Sequence, residues 1–218
     1  MAFCLYNTVW DGVFVEPKKH WDKVYTTKAP EAVSWYRPHL ETSLALIERA
    51  AASRSASLID VGGGESTLID DLLLRGYQNI TILDVSEAAI NLIQRRLGSA
   101  AGRVRWLVAD ITEIELETRA YDVWHDRAVF HFLTAREQRI AYVRQVVRSV
   151  RPGGHIIVSV FGPEGPTKCS GLETMHYDAE SLYREFGARF QLIESSKELH
   201  HTPMGTTQQF LYCYCRIA

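Results

Sequence analysis

From Ser57 onward, short β-rich apolar runs alternate with segments of helical spacing, and this alternation constrains the fold more than any other feature of the chain. Leu58-Ile59-Asp60-Val61 reads as a strand, Thr67 to Arg75 as a helix stopped by Gly76, and Ile80 to Val85 as a second strand. Ser86 to Leu97 then reads as a helix, Val104 to Ala109 as a third strand, and Tyr121 to His125 as a fourth. Thr134-x-x-Glu137 has the spacing of a capping box and opens a helix that runs to about Val150, where Pro152-Gly153-Gly154 stops it. His155 to Phe161 is almost continuously apolar, as a strand covered on both faces should be. Repeated strand–helix–strand units at this spacing imply a parallel, doubly wound α/β sheet.

The end of the chain departs from that rhythm. After a helical run from Asp178 to Phe186, the strand-like runs Phe190 to Leu199 and Gln208 to Arg216 are separated by only a short turn around Pro203-Met204-Gly205. No crossover helix fits between them, so they should pair antiparallel. The expected fold is therefore a mostly parallel, seven-stranded, Rossmann-like sheet closed by a C-terminal antiparallel hairpin. Residues 39–218 form that domain, with His39 to Ala52 as an amphipathic helix. Residues 1–38 are expected to form an aromatic-rich, irregular flap containing Trp21, Tyr25, Trp35 and Tyr36, lying over the C-terminal strand ends where open α/β sheets bind ligands.

A net charge of -2 provides no field to recruit nucleic acid or an anionic membrane. The first residues lack a basic region and carry Asp11 inside their apolar stretch, no apolar run is long enough to span a bilayer, and the four cysteines (Cys4, Cys169, Cys213, Cys215) form no disulfide framework. The expectation is a cytoplasmic protein, monomeric or homodimeric, with no membrane or nucleic-acid partner. Cys213-x-Cys215 lacks structural-zinc spacing and His200-His201 point to opposite strand faces, so no metal is expected.

Asp60-Val61-Gly62-Gly63-Gly64-Glu65-Ser66 follows the first strand and opens the first helix. Gly62 and Gly64 permit a sharp turn and close approach to a ligand. A dinucleotide fingerprint wants a third glycine where Thr67 stands, and Asp60 would repel a pyrophosphate while suiting a cationic group such as an amino-acid ammonium. An NAD-linked oxidoreductase is thereby disfavoured. Asp84, with Val85, ends the second strand, where a carboxylate meets ribose hydroxyls in nucleotide-binding sheets; the alternative is a helix cap, for which Ser86 serves equally. Asp110 ends the third strand beside Ile111, placed for the adenine amino group and ring, with a helix cap as its alternative.

Together, Asp60-Val61-Gly62-Gly63-Gly64, Asp84, Ala109-Asp110-Ile111, Arg151-Pro152-Gly153-Gly154 and the terminal hairpin resemble the class I S-adenosylmethionine-dependent methyltransferases, from about Leu40 to the C-terminus. The resemblance implies that Gly62 and Gly64 hold the methionine moiety, Asp84 the ribose and Asp110 adenine N6. Ser66 stands where the family has its third loop glycine. His20-Trp21-Asp22-Lys23-Val24-Tyr25 is similar to an N-terminal segment of small bacterial and some protein-lysine methyltransferases, whose aromatics close over the cofactor; Trp21, Tyr25 and Trp35 take that role by resemblance. Tyr121 to Ala128 resembles the fourth motif of thiopurine-type enzymes, which leans towards a small acceptor.

The implied reaction is methyl transfer to an N, O or S atom of a small molecule by in-line displacement. Protein lysine methylation and cofactor binding without catalysis are the alternatives. His125 is the best-placed base for an acceptor that must lose a proton, a structural histidine being the alternative; Asp126 and Arg127 stand at the same edge. His125 also borders the cofactor. Tyr36, His131, Lys168 and His176 are the acceptor-pocket candidates.

Overall fold

The computed structural model describes residues 8–10 and 13–218; residues 1–7, 11 and 12, with Cys4 and Asp11, lie outside the described residues. A small antiparallel ribbon, β1 (Thr8–Trp10) with β2 (Val13–Val15), precedes two helices, α1 (Pro17–Thr27) and α2 (Glu41–Ala50). The alternating segment follows as β3 (Ser57–Val61), α3 (Leu68–Leu74), β4 (Asn79–Asp84), α4 (Glu87–Leu97), β5 (Val104–Val108), β6 (Tyr121–Arg127), α5 (Arg136–Ser149) and β7 (Val150–Phe161). A short hairpin, β8 (Lys168–Cys169) with β9 (Leu172–Glu173), leads to α6 (Ala179–Phe186) and to the terminal strands β10 (Phe190–His201) and β11 (Thr207–Ile217).

The seven-stranded sheet has the order β10-β11-β7-β6-β3-β4-β5. β7, β6, β3, β4 and β5 are parallel, and β11 runs antiparallel between β7 and β10. The chain starts at β3, winds outward through β4 and β5, then returns to β6 on the other side of β3. That reversal opens a crevice above the C-terminal ends of β3 and β6, the place where such sheets bind ligands.

The pleat sorts the core into two layers. Leu44, Ile47, Leu68, Ile80, Val123, Ile157 and Phe210 pack on the face covered by α2, α3 and α4. Ile59, Trp124, Tyr142, Ile156, Val158, Leu211, Cys213 and Cys215 pack on the face covered by α5 and α6. Cys213 and Cys215 thus share a face, and burial pushes both thiols up to about 12.

The structure corrects three sequence expectations. Pro17–Thr27 is a regular helix, not an irregular stretch, with Pro17 at its first turn, where the missing N–H costs nothing. Asp22 fastens this helix to the sheet domain, its Oδ1 accepting from Ser86 Oγ (2.7 Å) and Ala88 N (3.1 Å) at the start of α4. The helix read from Thr134 begins two residues later, at Arg136: Ala135 precedes it, and its N–H donates to Gln138 Oε1 (3.2 Å). β6 extends two residues past the expected end at His125, to Arg127. Among the described residues no helix is long and apolar enough to cross a membrane.

Candidate functional site

The turn after β3 depends on its glycines. Gly62 (φ 69°) and Gly64 (φ 50°) occupy left-handed backbone conformations. A Cβ on Gly62 would strike the Val129 side chain, and one on Gly64 would strike the Tyr25 hydroxyl. The loop is held from beneath by β4: Gly62 N donates to Leu83 O (2.7 Å), and Gly64 N to Asp84 Oδ2 (2.8 Å). Asp84 Oδ1 accepts from Ser86 N (2.8 Å), while Ser86 Oγ accepts from Ala89 N (3.2 Å). Ser86 therefore caps α4, and Asp84 braces the loop. Burial lifts the Asp84 carboxyl to about 6, with two backbone donors working in the opposite direction.

Asp110 closes β5 with a turn of its own, Oδ1 accepting from Thr112 N and Thr112 Oγ1 (both 2.7 Å). Asp60, 5% exposed, holds His125 Nδ1 at 2.7 Å; His125 Nε2 meets Ser43 Oγ (2.9 Å), and Ser43 Oγ meets Tyr212 OH (3.1 Å). This chain of buried polar groups ties β3, β6, α2 and β11 together. Both ring nitrogens are engaged, so His125 is fixed in orientation by Asp60 and Ser43 at the wall of the pocket.

Asp126, grouped with His125 and Arg127 in the sequence, lies off the pocket lining. Consecutive strand residues face opposite sides, so Asp126 points away from the crevice into the α5 layer. There it accepts from Val129 N (2.9 Å), Phe130 N (3.1 Å) and Tyr142 OH (2.7 Å), and burial lifts its carboxyl to about 6. Arg127 returns to the crevice side.

One pocket collects Trp21, Tyr25, Trp35, Asp60, Gly62, Gly64, Asp84, Val85, Asp110, Ile111 and His125, which is every residue expected at the cofactor, together with Tyr36 and Arg127. The other acceptor candidates lie off its lining. His131 is buried against Phe161 (ring centroids 4.2 Å), its Nδ1 accepts from Phe161 N, and burial holds it neutral with a pKa near 3. Lys168 pairs with Glu173 (3.0 Å) across the β8–β9 hairpin, and His176 Nε2 meets Pro166 O (2.9 Å).

Several lining residues carried no sequence signal. Phe132 joins Trp21, Tyr25 and Trp35 in an aromatic cluster, edge-to-face except for the tilted Trp21–Tyr25 pair, with centroid separations of 5.2–6.5 Å. Phe161, Cys169, Leu172 and Phe210 close the far end. Glu65 is 6% exposed, neither carboxyl oxygen has a hydrogen-bond partner, and burial raises it to about 7. It lies inside the loop that was read for its glycines, and only its unusual charge there marked it.

Residues 58–154 match the family model of a methyltransferase domain. The chain is 26% identical over 138 residues to the eEF1A lysine and N-terminal methyltransferase of Mus musculus, covering 63% of this chain and 19% of that protein. It thus spans about a fifth of the length of that curated relative. It is 22% identical over 191 residues to EEF1A lysine methyltransferase 2 of Homo sapiens, covering 81% of this chain and 75% of that protein. Its fold resembles the solved 1,6-didemethyltoxoflavin-N1-methyltransferase of Burkholderia thailandensis with bound 1,6-didemethyltoxoflavin and S-adenosylhomocysteine (TM-score 0.65, 20% identity, 92% of this chain and 84% of that one).

Proposed function

We propose that the chain, whose residues 58–154 match a methyltransferase domain, is a class I S-adenosylmethionine-dependent methyltransferase that transfers the methyl group to a small-molecule acceptor. The observation that carries this reading is the single pocket in which the glycine loop, the three strand-end carboxylates and an aromatic chamber meet. The residues fit an adenosyl-sulfonium group. Gly62 and Gly64 present bare main chain to the pocket, packed too closely against Val129 and Tyr25 to admit a side chain. The Asp84 carboxylate keeps lone pairs for ribose hydroxyls beyond its two backbone donors. Asp110 and Ile111 offer a polar edge and an apolar surface to a purine.

When bound, S-adenosylmethionine supplies a methyl group whose carbon–sulfur bond breaks as the acceptor's lone pair forms the new bond. The chain's own contribution is positioning and exclusion of water. Trp21, Tyr25, Trp35 and Phe132 cover the crevice, and Asp22 holds α1 down on α4. The Asp60–His125–Ser43 chain fixes the loop against the α2 face. Asp126 faces away from the crevice, so proton removal, where an acceptor needs it, falls to His125, which Asp60 orients through Nδ1.

Incubation with labelled S-adenosylmethionine and a panel of small thiols, phenols and amines tests the reading; labelled small-molecule product supports it. A second reading, protein lysine methylation, draws on the named activities of the murine and human relatives. Label appearing only on lysine residues of added protein would select it instead.

A further inference from the structure

At the acceptor end, the guanidinium of Arg127 is almost fully buried and only partly satisfied. Nη1 donates to Trp35 O (3.2 Å), whereas Nε and Nη2 have no hydrogen-bond partner. The closest carboxylate oxygen, Glu198 Oε1, stands 3.9 Å from Nη2 and pairs at 2.9 Å with Arg37 Nη1; the other Glu198 oxygen accepts from Thr42 Oγ1 (2.5 Å). The plane of the Arg127 guanidinium lies over the Phe210 ring, 4.3 Å from its centroid.

A buried donor left unmade costs more than a hydrogen bond contributes, and more still when it is charged. Nε and Nη2 lie along one edge of the guanidinium and present two parallel N–H groups, the geometry that receives a carboxylate in bidentate fashion. The charge balance points the same way. At this end of the pocket stand two guanidinium groups, Arg127 and Arg37, with Glu198 as their largely buried ion-pair partner, since Glu41, 3.4 Å from Arg37, is exposed; the carboxylates Asp60, Glu65, Asp84 and Asp110 line the glycine-loop end. The other titratable groups around Arg127 add no negative charge. Burial pushes the Cys169 thiol up to about 11, and burial, more than the cation beside it, lowers His131 and His200. The neighbouring pocket wall is apolar: Trp35, Phe132, Phe161, Leu172 and Phe210.

We propose that the acceptor is an apolar or aromatic molecule bearing a carboxylate, anchored by the Nε–Nη2 edge of Arg127. The proposal rests on the methyl-transfer reading of the same site and names its substrate class. The carboxylate is the anchor and not the methylated group, because two charge-assisted hydrogen bonds to the guanidinium draw its charge and lower its nucleophilicity. A dianionic phosphate brings a second charge for which Arg37, already paired with Glu198, supplies no free cation. A lysine ammonium finds no acceptor at the Nε–Nη2 edge of Arg127, which presents only donors.

The full-length chain saturated with S-adenosylhomocysteine is titrated calorimetrically with 4-hydroxybenzoate, indole-3-acetate and hexanoate. Each is compared with its methyl ester, and phenyl phosphate and N-acetyl-lysinamide are run alongside. At least one acid should bind about tenfold or more tightly than its ester, the scale of a charge-assisted bidentate pair. Arg127→Gln should erase that difference while S-adenosylhomocysteine affinity stays within about twofold, and Arg127→Lys should restore part of it. Should Arg127→Gln fail to fold, the acid–ester comparison in the unaltered chain decides alone. Equal binding of acids and esters, no acid binding below about 10 mM, or tighter binding of phenyl phosphate or N-acetyl-lysinamide would overturn the proposal. Failure of S-adenosylhomocysteine itself to bind would instead remove the methyl-transfer reading beneath it.

Discussion

The two ends of the pocket are built on opposite principles. The end at β3, β4 and β5 is made of main chain and carboxylates, and, Glu65 excepted, its carboxylates are engaged before any ligand arrives: Asp84 holds Gly64 and Ser86, Asp110 holds Thr112, and Asp60 holds His125. The end at β6, β7 and β11 is made of side chains drawn from distant segments, and it leaves Arg127 Nε and Nη2 without partners. One end is preorganised by short-range turns. The other is completed by what it binds. A fold shared by many enzymes keeps the first kind of end and varies the second.

Altering the preorganised end should produce the largest effects. Gly62→Val places a β-branched residue at φ 69° and drives its Cβ into Val129; a loss of about 3 kcal/mol in stability is expected, with cofactor binding abolished, read by thermal melts and calorimetry. Asp84→Ala removes the loop brace together with the carboxylate proposed to meet the ribose, and should weaken S-adenosylmethionine binding by about 2 kcal/mol or more. Unchanged affinity would mean that the strand-end carboxylate plays no part in the site.

A smaller effect separates the charge states of this end. Burial lifts Glu65 from 4.5 to about 7 and Asp84 from 3.8 to about 6. Between the ordinary and raised values the native chain binds more protons than the unfolded one, so these two groups reduce stability as the pH rises from about 4 to about 7. Glu65→Gln should flatten that decline in melting temperature. Hydroxyl donors favour the ionised Asp84 carboxylate, so S-adenosylmethionine affinity should fall as the pH drops below about 6. A pH-independent affinity between pH 5 and 8 would separate Asp84 from the ribose.

The smallest effect is expected at the surface hairpin beside the acceptor end. Lys168 pairs with Glu173, both about half exposed, and lies off the pocket lining. Lys168→Ala should change stability by about 0.5 kcal/mol or less and leave methyl transfer unaltered; a large loss of turnover would bring that hairpin into the acceptor site.

The same contrast explains what the sequence made legible. The succession of strands and helices and the residues that gather at the glycine-loop end of the pocket were readable because both are local: alternation sets β3 to β7, three acids mark the ends of three successive strands, and the short turn at Pro203 fixes the antiparallel hairpin. Local spacing could not decide what depends on three-dimensional neighbours. Asp126 looked equivalent to His125 and Arg127 in the chain, but the pleat turned it to Tyr142. His125 gained its fixed role from Ser43, 82 residues away. Phe132, Cys169 and Phe210 have no motif, and meet only because β8–β9 and the terminal hairpin fold onto the same face. The helical character of Pro17–Thr27 was masked by its aromatics, although Pro17 marks its start.

The central claim is that the loop after Asp60 and the acids closing β4 and β5 form a site for S-adenosylmethionine. Titration calorimetry of the unaltered chain with S-adenosylmethionine, S-adenosylhomocysteine and NAD tests it most directly. The account predicts binding of the first two at one site per chain and none of the third; binding of NAD alone, or of none of them, would contradict it.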